Sequence, residues 1–169
     1  MCFDDRHASW PWIYSNREPC LVRWTGRIAA GSISDRVTGF EDWLPTLLEL
    51  IGARETTPGD LDGISFAPTL LGQQQEPRSF LYRESPGYGG QQSVRVGDWK
   101  AIRLNLNLGP NSKAQGTSEI ELYNLATDPS ETTNVADQNP EVVRKLRSIM
   151  EKQHIKSDLF PLRAIDAAE

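Results

Sequence analysis

The sequence predicts an α+β fold in which a roughly four-stranded antiparallel sheet is covered by a long C-terminal helix. Two β-forming runs, Ser93–Val96 and Trp99–Leu104, flank a Gly-Asp dipeptide. A two-residue loop that begins with Gly is typical of a tight type II′ hairpin. Phe80–Glu84 and Ile120–Leu125 also favour strands, and an amphipathic helical pattern begins after Asn139. These three observations fix the fold class.

The hairpin needs cover on both faces. In the expected register Val94 lies opposite Ala101 in an apolar face, whereas the other face carries Lys100 near the turn and Ile102 further along. An isolated two-stranded hairpin is marginally stable in water, so further strands and a helix must join it.

The covering helix begins with a recognisable pattern. Asn139 is suited to the N-cap, Pro140 to the first helical position and Glu141 to the positive end of the helix dipole. Apolar residues then recur at helical spacing through Met150. The pattern predicts a helix that lies with one face on the sheet.

The first half of the chain predicts a short buried strand at Leu21–Trp24 and a helix within Phe40–Ile51. Asp42 is expected as the N-cap of this helix, and Gly52 as the left-handed residue after it. The helix is apolar on almost every side, which is typical of a helix buried in a large domain. The chain contains little material to cover it, so we expect it to be part of something larger.

Composition excludes several classes of function. The net charge is −5, with acidic and basic residues interspersed over 169 residues, so no nucleic-acid footprint is expected. No apolar run approaches a membrane span, and the first residues lack the pattern of a signal peptide. Cys2 and Cys20 are the only cysteines. Their spacing fits no zinc site, and it leaves a disulfide between them open.

Several motifs, in this order, resemble the C-terminal third of a formylglycine-dependent sulfatase of the arylsulfatase type. The resemblance covers about Leu21 to Lys156. The motifs are VRWTGRI at Val22–Ile28, DWLPTLLELIGA at Asp42–Ala53, DGISFAPTLLG at Asp62–Gly72, SVRVGDWKAIR at Ser93–Arg103 and ELYNLATDPSETTNVAD at Glu121–Asp137.

The resemblance implies a particular domain organisation. Family members have a large alkaline-phosphatase-like α/β domain, which holds calcium and a cysteine oxidised to formylglycine, followed by a small domain with an antiparallel sheet and a long helix. We therefore expect an atypical segment at 1–20, a strand and buried helix left over from the large domain at 21–76, the small domain at 77–156 and a tail at 157–169. The implied substrates are sulfated carbohydrates or aryl sulfates. Family members are often exported to the periplasm, the lysosome or the extracellular space.

The family's catalytic residues have no counterpart here. Its nucleophile lies in a Cys-X-Pro/Ser/Ala-X-Arg motif, and Cys2 is the only cysteine followed four positions later by Arg. Asp4 stands where the motif needs Pro, Ser or Ala, so we interpret this match as coincidence. We assign no catalytic residue, metal ligand or cofactor to this chain, and expect it to be inactive alone.

The loop between the first two strands is the candidate for substrate recognition, because loops of the small domain rim the substrate cleft in relatives. It combines glycines, an aromatic ring that could stack on a sugar, and amides that could bind hydroxyl groups. The predicted binding residues are Glu84, Tyr88, Gln91, Gln92 and Arg95. A solvated hairpin rim is the alternative.

Other functions stay open at this point. The chain could be a non-catalytic glycan-binding or interaction module, or a truncated gene product. Self-association through the apolar helix is a further expectation. A phosphoesterase relative is disfavoured, because LYNLATDPSETTN resembles sulfatases rather than phosphatases.

Overall fold

The computed structural model describes residues 19–87, 89–107 and 119–166. They divide into two compact units, one at Pro19–Leu81 and one that begins at Tyr82. We call them the N-terminal unit and the sheet unit. The predicted limits at residues 20, 76 and 156 stay predictions.

The predicted four-stranded sheet is confirmed. Its strands follow one another in space as they do in sequence. They are β1 Leu81–Ser85, β2 Gln91–Val96, β3 Trp99–Arg103 and β4 Glu121–Asn124.

The central hairpin has the predicted register. Val96 pairs with Trp99 and Val94 with Ala101 in the antiparallel β2–β3 ladder. Gly97 has φ +57°, whereas Asp98 has a negative φ, which is the combination that a type II′ turn requires. Local turn chemistry is therefore consistent with the register of the β2–β3 hairpin.

Helix α3 extends over Pro140–Gln153 and packs on β2 and β3. Leu146 and Met150 are its buried residues. Asn139 occupies the N-cap position, but its side chain donates to the carbonyl oxygen of Val135 (2.9 Å) instead of capping the helix. A short helix that we did not predict, α4 at Arg163–Asp166, follows in the tail.

The core of the sheet unit contains a buried ion pair between Lys100 and Glu131. The Lys100 Nζ lies 2.7 and 2.8 Å from the two carboxylate oxygens of Glu131. The side chains are only 2% and 8% exposed, respectively. Burial lowers the pKa of Lys100, and Glu131 opposes that effect in part. Glu131 reaches this position from a left-handed backbone (φ +55°) in the turn after β4.

The N-terminal unit contains two helices and two 3₁₀ turns. Helix α1 follows the 3₁₀ turn Phe40–Asp42. Gly52 adopts the predicted left-handed conformation (φ +77°), and Gly72 has the same conformation (φ +72°) after the second helix. The helices are α1 Trp43–Leu50 and α2 Ala67–Leu70, with the second 3₁₀ turn at Arg54–Thr56 between them.

Asp42 precedes α1 as predicted, but its carboxylate does not cap the first turn. It accepts hydrogen bonds from the backbone N–H groups of Gly39 and Ile64, both at 2.7 Å, and from Nη1 of Arg78 at 2.6 Å. The Asp42 carboxylate therefore connects the segments around Gly39, Ile64 and Arg78 in the N-terminal unit. The sequence could not predict this, because Arg78 lies 36 residues away.

Helix α1 is only partly covered within its unit. Trp43 packs edge-to-face on Phe66, with ring centroids 5.0 Å apart. Leu44, Leu47 and Ile51 are nevertheless 48%, 51% and 73% exposed. Among the described residues, no helix has the length and apolar character needed to cross a membrane.

The strand predicted at Leu21–Trp24 was wrong. These residues form no strand, and Leu21 is 97% exposed. The chain turns at Trp24 instead, where the backbone N–H of Arg27 donates to the Trp24 carbonyl oxygen (3.0 Å). The physical reason is that a strand needs a neighbour to complete its hydrogen bonds, and none of the described residues pairs with this segment.

Candidate functional site

The structure brings only some of the predicted binding residues together. Glu84 lies in β1, and Gln91, Gln92 and Arg95 lie in β2. Tyr88 lies outside the described residues. The role of all five in binding stays a prediction, and the four described side chains lie in different environments.

Glu84 belongs to a polar cluster centred on His154, the residue directly after α3. Nδ1 of His154 lies 3.0 Å from Glu84 Oε2, and Nε2 lies 2.8 Å from Asp166 Oδ1. The imidazole therefore lies between a carboxylate of β1 and a carboxylate of α4.

The same cluster extends across the sheet through Tyr82 and Gln92. The Tyr82 hydroxyl donates to Glu84 Oε2 (2.5 Å) and accepts from Nε2 of Gln92 (2.7 Å). Oε1 of Gln92 accepts a long hydrogen bond from Nη1 of Arg103 (3.4 Å) on β3. We call Tyr82, Glu84, Gln92, Arg103, His154 and Asp166 the His154 cluster.

The cluster shifts the pKa values of its members. Burial lowers the pKa of His154, but the hydrogen bonds to Glu84 and Asp166 raise it by more, so the net shift is upward. Burial and the hydrogen bond to Glu84 raise the pKa of Tyr82. Burial and the charge of Arg147 lower the pKa of Arg103, against an opposing effect of Glu151.

The geometry limits what the cluster can do chemically. Both imidazole nitrogens of His154 already face carboxylates, so neither is directed at an incoming substrate. Within 19–87, 89–107 and 119–166, no group of three or more His, Cys, Asp or Glu side chains could hold a metal ion. These residues therefore do not fit the calcium site that the family resemblance implies, and Cys2 lies outside them.

Gln91 and Arg95 are in contrasting environments on β2. Gln91 is 1% exposed, and neither of its amide atoms has a hydrogen-bond partner in the described structure. Such an unpaired buried amide is rare, because leaving it unsatisfied costs about 1–3 kcal/mol. Arg95 is half-buried, and its Nε donates to the carbonyl oxygen of Gly97 in the adjacent turn (2.9 Å).

The loop that carries the candidates is anchored by Asn107. Its Nδ2 donates to the carbonyl oxygens of Pro86 (3.1 Å) and Pro161 (2.8 Å), and its backbone N–H donates to Gly89 O (2.6 Å). Gly90 has φ +82°, and a Cβ there would lie 2.7 Å from the Asn107 nitrogen. Only glycine fits this close approach without a shift of the backbone.

A separate cleft of about 650 Å³ lies beside the start of α3. Its charged lining residues are of both signs, which favours no single ligand charge, and none of the predicted binding residues lines it. They are Glu119, Glu121, Asp137, Arg144 and Arg147.

Sequence reasoning missed the central residue of the cluster. His154 directly follows a helix, a position that by itself indicates only an interaction with the helix dipole. Its partner Glu84 lies 70 residues away, and no local pattern links the two. Asn107 was missed for the same reason, since its partner Pro161 is 54 residues away.

Comparisons with known proteins agree with the fold. The family described as N-sulphoglucosamine sulphohydrolase, C-terminal, matches residues 2–156. Human arylsulfatase A is 33% identical over 151 residues, covering 79% of this chain and 29% of its own length. An ulvan-active sulfatase of Formosa agariphila is 31% identical over 167 residues, covering 84% and 32%. The chain thus spans about a third or less of these curated relatives.

Comparison with solved structures also finds sulfatases that match this chain over part of their length. A 2-O GAG sulfatase is 26% identical with a TM-score of 0.53, over 66% of this chain and 23% of its own. Another chain, solved with its substrate D-glucosamine-2-N,6-O-disulfate, is 22% identical with a TM-score of 0.51, over 66% of this chain and 22% of its own. The second likeness shows the fold alone.

Proposed function

Because the chain belongs to the sulfatase family, we propose that it is the C-terminal portion of an enzyme that hydrolyses sulfate esters of carbohydrates. The observation that carries the proposal is the match of one sulfatase C-terminal family to residues 2–156, which include the whole sheet and α3. No such match is expected for an unrelated module of the same fold class.

The names of relatives support the carbohydrate substrate. One relative is an ulvan-active sulfatase, and another is a GAG sulfatase. Both names refer to sulfated polysaccharides. We extend that substrate class to the protein of which this chain forms a part.

We further propose that the chain has no sulfatase activity alone. A preorganised nucleophile and a metal ion supply most of the barrier lowering in such reactions. The described residues contain neither a metal-binding group nor a cysteine in the family's nucleophile motif.

The loop between β1 and β2 is our candidate for leaving-group recognition. Gln91 gives it the most support, because its buried amide lacks a hydrogen-bond partner among the described residues. A sugar hydroxyl could donate to and accept from this amide once a movement of the loop exposes it, because Gln91 is buried in the structure. Gln92 and Glu84 bond within the His154 cluster, so they would act by holding the loop in place.

The inactivity proposal is tested by assaying the isolated chain with an aryl sulfate and calcium, beside a Cys2→Ala variant. We expect no turnover from either protein. Turnover that disappears in Cys2→Ala would overturn the proposal, because it would identify Cys2 as a nucleophile.

The substrate class is tested by applying the chain to an array of sulfated and unsulfated oligosaccharides. Tyr88→Ala is the test variant, and Phe40→Ala is a control, because Phe40 is an 87% exposed aromatic residue of the other unit. Binding of sulfated sugars that is lost only in Tyr88→Ala supports recognition by the loop. Equal retention in both variants contradicts it.

Membership of a longer enzyme is tested on the genomic DNA directly upstream of the Met1 codon. We expect an in-frame Cys-X-Pro-X-Arg or Cys-X-Ser-X-Arg segment there. A stop codon in frame, together with specific glycan binding by the isolated chain, would favour a non-catalytic module instead.

A further inference from the structure

The end of the described chain, residues 161–166, forms a strap against the segment that follows β3. The backbone N–H of Ala164 donates to Leu106 O (2.9 Å), and that of Arg163 donates to Asn107 Oδ1 (2.8 Å). Leu162 is buried. None of these contacts includes a group that titrates near neutral pH, so this part of the strap has no dependence on protonation.

The far end of the strap is held differently. Oδ2 of Asp166 accepts from the backbone N–H of Leu162 (2.7 Å), which closes the strap on itself. Oδ1 of Asp166 faces Nε2 of His154, whose Nδ1 faces Glu84. The side chains of His154 and Asp166 are only 16% and 10% exposed, so water provides little alternative bonding.

Protonation of the imidazole decides how many of these contacts are favourable. A protonated histidine donates from both nitrogens, whereas a neutral one donates from one and presents a lone pair at the other. An ionised carboxylate only accepts. With neutral His154, either Glu84 or Asp166 therefore faces a lone pair at hydrogen-bond distance.

We propose that His154 is a proton-operated clasp, which fastens the far end of the strap to β1 and the end of α3 when protonated and weakens this attachment when neutral. The inference concerns this chain's own folding and goes beyond the proposed function. It stands whether or not the chain is part of a sulfatase.

Further titratable and charged groups surround the clasp. From β1, Tyr82 stays neutral, because its pKa is raised by burial and by Glu84. From the segment after α3, Lys156 Nζ lies 3.4 Å from the Asp166 carbonyl oxygen. Arg103 on β3 and Glu151 on α3 lie beyond Tyr82 and Gln92.

The direction of the pH dependence follows from the pKa of His154. Burial lowers the His154 pKa, but the interactions with Glu84 and Asp166 raise it by a larger amount. The pKa in the folded chain therefore lies above the usual value of about 6.5. A group whose pKa is raised by folding stabilises the fold below its unfolded pKa. That stabilisation is lost as the pH rises through the folded pKa. The far end of the strap is therefore fastened while His154 is protonated and both carboxylates are ionised, and it loosens as the pH rises through the His154 pKa.

The test combines a histidine NMR titration with hydrogen exchange of the backbone amides of residues 162–166, corrected for the intrinsic rise of exchange with pH. The wild-type chain is compared with His154→Gln and with His7→Gln, which removes the only other histidine. We expect strap exchange in the wild type to rise in one step, with its midpoint at the His154 pKa. His7→Gln keeps the step and His154→Gln loses it.

A second variant protects the test against misfolding of the first. Asp166→Asn removes one carboxylate, so we expect the His154 pKa to shift down towards its usual value and the exchange step to move with it. A His154 pKa at or below the usual value in the wild type would overturn the proposal. So would a wild-type strap without a step, or an unchanged step in His154→Gln or Asp166→Asn.

Discussion

The two units both contain a buried ion pair, but they differ in how much of their apolar surface is buried. Each contains a buried ion pair, Asp42–Arg78 in the N-terminal unit and Lys100–Glu131 in the sheet unit. The strands of the sheet unit also bury Val94, Ile102 and Leu122 completely, whereas Ile155 and Leu159 beyond α3 are exposed. In the N-terminal unit, Leu47 on α1 is 51% exposed.

This difference shows that ion pairs and apolar burial make different contributions to folding. Charge-assisted hydrogen bonds join specific segments and so determine a local conformation. Removal of apolar surface from water supplies most of the stability, at about 25 cal/mol per Å². The N-terminal unit has charge-assisted hydrogen bonds but buries little apolar surface. We therefore expect it to have a defined local conformation and a low free energy of unfolding.

The largest effect is expected when the buried pair of the sheet unit is broken. Glu131→Gln leaves the Lys100 ammonium buried without its counter-charge, and loss of one partner of such a pair costs about 3–5 kcal/mol. The measurement is the free energy of unfolding in urea. Glu141→Gln is the control, because its pair with Arg144 is exposed. Equal losses in the two variants would show that burial of the pair does not matter.

A matched pair of leucines compares the apolar surfaces directly. Leu122→Ala removes a completely buried side chain from the sheet unit, and buried Leu→Ala changes cost about 2–5 kcal/mol. Leu47→Ala in α1 should cost clearly less, because about half of that side chain is already in water. Urea unfolding of both variants measures the difference. If Leu47→Ala costs as much as Leu122→Ala, the proposed contrast between the units is wrong.

The exposed face of α1 predicts a concentration-dependent effect. We expect the isolated chain to self-associate through Leu44, Leu47 and Ile51, and Leu47→Lys to weaken that association. Light scattering after size-exclusion chromatography measures the change. A second substitution that introduces the same charge, Ala126→Lys on an exposed turn of the sheet unit, should leave the association unchanged.

The smallest effect is expected in an exposed turn of the sheet unit. Burial raises the pKa of Asp128, but hydrogen bonds from the backbone N–H groups of Thr133 and Thr132, both at 2.8 Å, lower it by more. A carboxylate with a lowered pKa stabilises the fold above its unfolded pKa. That stabilisation is lost as the pH falls through the folded value.

Asp128→Asn should therefore cost about 0.5–1.5 kcal/mol at neutral pH, the range of one ordinary hydrogen bond. The difference from the wild type should shrink on acidification below about pH 4. Urea unfolding at a series of pH values measures both. A difference that is constant with pH would indicate that the carboxylate charge does not contribute.

The elements that sequence predicted correctly are those whose signals are local. The turn at Gly97, the start of α3 at Pro140 and the end of α1 at Gly52 each depend on residues within a few positions. The Leu21–Trp24 strand failed because its composition favours a strand, whereas its hydrogen bonds depend on a neighbour from elsewhere. Amino-acid composition therefore indicates a preference for strand, but a strand forms only where another segment completes its backbone hydrogen bonds.

The candidate site was predicted less completely for the same reason. Glu84 and Gln92 were identified by their chemistry in a loop-proximal position, but their actual partners come from β1, β3 and the C-terminal segment. Tyr82, Arg103 and His154 join them only after the sheet and α3 have formed. No spacing rule within one segment could have found that combination.

Asn107 has a consequence for how this protein would age. Its carboxamide uses its N–H groups on the carbonyl oxygens of Pro86 and Pro161, and its oxygen on the N–H of Arg163. Deamidation of this single side chain to aspartate would replace the two donors with an anionic oxygen directed at those carbonyls. In an aged sample, this single change would weaken the attachment of both the β1–β2 loop and residues 161–166.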